Sequence, residues 1–125
     1  MNLIFDTSVL VELERGNKEV IEKIRDLRRF YPVPARISFI TYFEFLYGLR
    51  DKSQKNKEEF IAFVEKFSVI QTSKKTAEIL VKLKQNYELP LADLIIAAHT
   101  LETGAILVTK DRDFAGIKEI EKFLI

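Results

Sequence analysis

Cysteine and tryptophan are absent from the 125-residue sequence, and histidine occurs once. The missing thiols exclude disulfide frameworks, cysteine-ligated zinc and thiolate nucleophiles together. With His99 as the only imidazole, the usual zinc-ligand sets and the Ser-His-Asp triad are removed as well. Long hydrophobic runs are missing too. The longest stretch without an ionised side chain, residues 94–101, has eight residues, against roughly 18 for a bilayer span. No basic segment precedes the apolar start, and Asp6 interrupts that start too early for a signal peptide, so a cytoplasmic protein is expected. Charge of one sign is equally lacking: 20 Lys+Arg against 19 Asp+Glu leave a net +1. That balance argues against a polybasic nucleic-acid binder, but not against a small acidic site in a basic surround.

What remains is chemistry by carboxylates, amines and hydroxyls on a chain that is 47% hydrophobic. A chain this long buries roughly two-thirds of its unfolded surface, enough for a single domain over residues 1–125. Residues 2–5 (NLIF) read as a strand, and Thr7 or Ser8 can cap a helix that stops at Gly16. Asn17 caps a second helix with Val20, Ile21, Ile24 and Leu27 at a period near 3.6, ended by Pro32 and Pro34. A second strand covers residues 36–40. Thr41 then opens a third helix, where Thr41 and Glu44 have the spacing of a capping box and Gly48 lies near the end. The charged segment 51–59 reads as a solvated connection to a fourth helix with Phe60, Ile61, Val64 and Phe67 inward. Residues 68–72 form a third strand, Ser73 caps a further helix, and Leu89-Pro90-Leu91 separates it from an apolar helix over 92–103 that Gly104 ends. Residues 105–109 (AILVT) are the most strand-like of all. The tail, 117–125, fits a last helix or an edge strand equally. Short strands alternating with helices predict an α/β three-layer sandwich around a mostly parallel sheet.

In such a sheet the strands' carboxyl ends and the helix starts share one edge, where ligands bind. Asp6 follows the first strand, Glu44 lies in the helix after the second, Asp111 follows the strand at 105–109, and Asp93 opens the helix before it. Asp113 is a fifth candidate. Of six aspartates, only Asp26 and Asp51 fall elsewhere. Carboxylates brought within about 4–6 Å repel and raise each other's pKa, so the pattern points to a neutralising dication, Mg²⁺ or Mn²⁺, with oxygen ligands. A site of that kind can activate water and stabilise an alkoxide leaving group with no protein nucleophile.

These residues resemble the PIN domain family and, within it, the VapC-type toxin ribonucleases. The resemblance lies in Asp6-Thr7-Ser8, in residues 37–41 leading to Glu44 and Gly48, in the stretch 91–98 (LADLIIAA) and in residues 107–114 (LVTKDRDF). It spans nearly the whole chain in order. It implies that Asp6, Glu44, Asp93 and Asp111 are catalytic, metal-binding acids, with Asp113 in support and Thr7, Ser8 and Thr109 orienting them. It also implies an RNA substrate cut by endonucleolytic hydrolysis, a cognate antitoxin protein and a homodimer.

Alternatives from other classes are a PIN-type RNA-processing or RNA-binding protein without a toxin role, and a phosphoacceptor receiver domain with an acidic Mg²⁺ pocket. The receiver wants paired acids after the first strand and an Asp after the third; here Asp6 stands alone and the third strand runs into Gln71-Thr72-Ser73. His99, on an Ile- and Ala-rich helix, reads as a partly buried, satisfied histidine rather than a ligand. Lys110 and Arg112 flank Asp111 and have the charge to meet phosphates, and Lys52, Lys55, Lys57, Lys74 and Lys75 read as ordinary surface. In residues 41–50, Tyr42, Phe43, Phe45, Leu46, Tyr47 and Leu49 span an arc of about 200°, twice a one-sided helix's stripe. That excess predicts a second packing partner.

Overall fold

The runs Leu3–Phe5 and Ile106–Thr109 are buried on both faces, which is the environment of a parallel sheet covered by helices. In the computed structural model, which describes residues 2–125, the strands are β1 (Leu3–Phe5), β2 (Arg36–Ser38), β3 (Ser68–Ile70), β4 (Ile106–Thr109) and β5 (Glu121–Leu124). They form one sheet in the order β3-β2-β1-β4-β5, with every pairing parallel. The connections carry helices α1 (Thr7–Glu14), α2 (Lys18–Phe30), α3 (Phe39–Tyr47), α4 (Gln54–Val64), α5 (Lys74–Asn86) and α6 (Leu91–Thr103). A receiver-type sheet places its first strand between the second and third; here β1 lies between β2 and β4, and that alternative falls away.

The strand period of two splits the core into halves. Leu3, Phe5, Ile106 and Val108 point into one cluster with Val9 and Leu10 of α1, Val20 and Ile24 of α2, Phe45 of α3 and Phe60 and Val64 of α4. Ile4 and Leu107, between them in sequence, point into the other with Leu83 of α5 and Leu94, Ile96, Ala97 and Ala98 of α6. The result is the predicted three-layer sandwich.

Local details differ from the sequence-based expectations where a side chain found a better partner. Asp6, not Thr7 or Ser8, caps α1, because its carboxylate accepts from the Val9 amide at 3.1 Å. Strand β2 ends at Ser38, whose hydroxyl accepts from the Ile40 amide and starts α3 two residues earlier than Thr41. Glu44 therefore sits in the second turn of α3, no Thr41–Glu44 box forms, and Thr41 is buried. Helix α4 begins at Gln54, inside the segment expected as connection, and Ile61 faces outward. The ambiguous tail becomes β5, paired to β4 from Ile106↔Glu121 to Thr109↔Leu124. Ser73 caps α5 as expected, in a capping box with Thr76.

Gly104 closes α6 with φ +65°, its amide returning to Leu101 at 3.2 Å. A Cβ there meets nothing within 4 Å, so only the left-handed backbone opposes a side chain. Gly104→Ala should lower the unfolding free energy by about 1 kcal/mol, read as a lower urea midpoint at unchanged m-value. An unaltered midpoint would show that the helix end relaxes freely.

Candidate metal centre

The strand order reverses direction between β1 and β4, and the crevice at their carboxyl ends is where an open α/β sheet binds ligands. Asp6 leaves β1 at this point and is 3% exposed. Its Oδ1 accepts from Ser8 Oγ at 2.7 Å and from the Val9 amide at 3.1 Å, while Oδ2 accepts from the Thr109 hydroxyl at the end of β4. A carboxylate has about four acceptor sites, so one on Oδ2 is left for a cation or water. Thr109 Oγ1 in turn accepts from the Asp111 amide at 2.9 Å, and Ser8 Oγ from the Lys110 amide at 3.2 Å. These hydroxyls lock the β4 exit loop onto the β1 exit loop.

That loop lies against the first turn of α6. Oxygens of Asp93, Asp111 and Asp113 all lie within 4.8 Å of one another. Asp111 holds the turn itself: its Oδ1 accepts from the Asp113 amide at 2.9 Å, capping the short 3-10 segment Arg112–Gly116. Glu44 approaches from α3, with Oε1 accepting from Thr7 Oγ1 at 2.7 Å; Thr7 also lies 3.2 Å from Thr41 Oγ1. Asp113, which the family resemblance places in a supporting part, has its carboxylate within this trio. The signal for it was the Asp-x-Asp spacing of 111 and 113, which a 3-10 turn folds to one side. Lys110 extends to within 3.9 Å of Glu12, and Arg112 is exposed.

The electrostatics register the crowding. Asp93 is pushed up to about 6, first by desolvation, then by the charges of Asp111, Asp6, Glu44 and Asp113. All five acids thus act on one field. Burial also raises Asp6, against the hydrogen bonds from Ser8, Thr109 and the Val9 amide, with the Asp111 charge adding to the rise. The donors are all carboxylate oxygens, the set hard dications prefer. The residues therefore fit such an ion.

Fold and site together define a small parallel α/β domain with an acidic centre at its topological switch point. The PIN domain family model matches residues 3–120, and the chain belongs to that family. It is 33% identical over 100 residues to ribonuclease VapC3 of Methanocaldococcus jannaschii, covering 78% of this chain and 97% of that protein. A toxin–antitoxin complex from Klebsiella pneumoniae contains a chain that superposes with a TM-score of 0.82 at 29% identity, covering 99% of this chain and 100% of that one. VapBC2 from Rickettsia felis, bound to a DNA fragment from their promoter, shares the fold with a TM-score of 0.81 at 21% identity, covering 100% of this chain and 99% of that one. The chain is a VapC homologue of the ribonuclease-toxin type.

Because the Asp93 carboxyl is raised, the metal-free folded state binds more protons than the unfolded chain between 3.8 and about 6. Its contribution to stability therefore falls as pH rises through that window. Asp93→Asn should stabilise the chelator-treated protein at pH 7 by about 1 kcal/mol after allowance for solvent screening. The gain should disappear below the ordinary carboxylate range. Urea unfolding of both proteins across pH 3.5 to 7.5 tests this, and equal stabilities at pH 7 would show that the cluster carries no strain.

Proposed function

We propose that the acidic edge holds Mg²⁺ or Mn²⁺ and that the protein is an endoribonuclease hydrolysing RNA phosphodiester bonds, the toxin of a toxin–antitoxin pair. The observation that carries this is the trio Asp93, Asp111 and Asp113 within 4.8 Å, beside Asp6 and Glu44. At neutral pH, above the raised value of Asp93, a dication releases that repulsion.

Asp93, Asp111 and Asp113 are the first ligands, and Asp6 offers its one unused acceptor site. Ser8 and Thr109 keep Asp6 fixed, and Thr7 holds Glu44 toward the same crevice. When bound, the dication supplies Lewis acidity for water and for the leaving oxygen. Lys110 and Arg112 stand on the exit loop where a substrate phosphate would approach, and they position without reading sequence. An RNA substrate places this activity in the cytoplasm; among the described residues, no helix is long and apolar enough to cross a membrane.

Two partners accompany this function. The Klebsiella pneumoniae structure is a toxin–antitoxin complex, and an antitoxin covering the crevice of this chain would restrain it. The second partner is another copy of the chain, on the outer face of α3. Phe39, Phe43 and Tyr47 are 42%, 52% and 56% exposed at helical spacing, with the Phe43 and Tyr47 rings stacked at 5.9 Å and 8°. The three side chains are themselves uncharged, with the Arg50 guanidinium laid over the Tyr47 ring at 4.2 Å, and a two-fold axis can pair their aromatic faces.

Asp6→Asn should retain the fold, since Asn still caps α1, and lose at least about 100-fold of Mg²⁺- or Mn²⁺-dependent cleavage of a structured RNA. Chelator should abolish cleavage by the parent. Chelator-insensitive cleavage, or a fully active Asp6→Asn protein, would overturn the assignment. For the second copy, Phe43→Glu with Tyr47→Glu should halve the sedimentation mass. A parent already monomeric, or a variant still dimeric, would remove α3 as the interface.

A further inference from the structure

Among the described residues, the buried ionisable side chains are Asp6, in the acidic centre, and His99, which has no part in it. His99 lies on α6, six residues beyond Asp93, and its side chain is fully excluded from solvent. Its Nδ1 is 2.7 Å from Ser38 Oγ, and its Nε2 has no hydrogen-bond partner. Burial lowers the imidazole's pKa, with Glu102 opposing and Arg36 reinforcing that shift, so the ring is neutral at neutral pH. A leucine would fill the same space without desolvating an unpaired nitrogen. Packing alone thus does not account for the imidazole, whereas its single bond does.

That bond reaches a mechanically important atom. Ser38 is the last residue of β2 and the N-cap of α3, its Oγ accepting from the Ile40 amide at 3.2 Å. The hydroxyl held by His99 is the one that starts the helix bearing Glu44, while His99 itself rides on the helix bearing Asp93. The two helices reach the crevice separately, α3 leaving β2 and α6 following α5, and their charges meet there: Glu44 acts on Asp93. The expected satisfied histidine is therefore satisfied on one nitrogen only, and across two elements.

We propose that His99 is a positioning residue for the acidic centre: its hydrogen bond to Ser38 pins the start of α3 to α6 and so sets where Glu44 stands relative to Asp93. The inference rests on the metal-site function proposed above. A neutral imidazole supplies one nitrogen to Ser38, and that is all the strut requires. The remaining nitrogen is buried without a hydrogen-bond partner, so the Ser38 bond is the ring's one polar tie.

Mn²⁺ binding, followed by calorimetry and by the electron paramagnetic resonance of the free ion, tests this without RNA. His99→Leu keeps the volume and removes the bond; it should weaken Mn²⁺ binding by about tenfold. His99→Asn, whose amide sits near the position of Nδ1, should return the affinity to within about twofold of the parent. Ser38→Ala should reproduce the loss, and combining it with His99→Leu should add little, as expected of two ends of one bond. It also serves if His99→Leu does not fold. A parent that binds Mn²⁺ with variants that melt earlier yet bind equally well would overturn the positioning role and leave the metal site standing. Equal weakening by Leu and Asn would overturn it too. A parent that binds no Mn²⁺ would overturn the metal site and this role together.

Discussion

Repulsion among carboxylates half-withdrawn from water is what the scaffold must contain. Asp6, Asp93 and Asp111 come from the end of β1, the start of α6 and the end of β4, so no local hydrogen-bonded turn can hold them. They are held by the sheet. The pairing of β1 with β4, from Leu3↔Ile106 to Phe5↔Val108, places residues 6 and 109 side by side at the end of the ladder. The hydroxyls of Ser8 and Thr109 then bind Asp6 in place, and the fully buried Val9, Leu10, Leu94 and Val108 anchor the backbone behind it. Hydrophobic burial at the rear of the sheet thus offsets the electrostatic cost at its front.

Hydroxyl groups do most of the organising. Thr7, Ser8, Ser38, Thr41 and Thr109 all sit at or near the carboxyl edge, and each links two segments that are remote in sequence or closes a helix start. A hydroxyl both donates and accepts, which suits it to pass a hydrogen bond from an amide on one loop to a carboxylate on another. In Thr109 the chain runs from the Asp111 amide through the hydroxyl to Asp6. The acids are therefore preorganised by neutral groups that add no further charge to the crevice, which leaves their negative field for a cation.

The layers and the strands' positions were legible because the hydrophobic runs are short and bounded by Gly, Pro or charged residues. Gly104 after α6 and the Pro32 and Pro34 pair after α2 stop their helices where expected. The starts were less legible. Asp6, Thr7 and Ser8 are all good caps, and propensity does not choose among them. Asp6 wins because its carboxylate is turned to the Val9 amide by Ser8 and Thr109, the second of which is 103 residues away. At α3, Ser38, expected inside the strand, took the cap in place of Thr41 and moved Glu44 a turn deeper, where Thr7 rather than a capping box engages it. The tail resisted assignment because a parallel edge strand, bonded on one side and half-exposed, has no strong period of its own; the β4 backbone decided it.

Sequence alone determined which chemistry was open to this protein, since an inventory with no thiol and one imidazole leaves oxygen ligands, and the αβ alternation put the aspartates at one edge. Which acids meet was decided only by the tertiary structure. The distance from Asp93 to Asp113 depends on how a 3-10 turn packs against the first turn of α6, and the role of His99 depends on a serine 61 residues earlier in the chain. Neither leaves a periodic trace, because both arise from contacts between elements whose relative placement the core, and not their own sequence, sets.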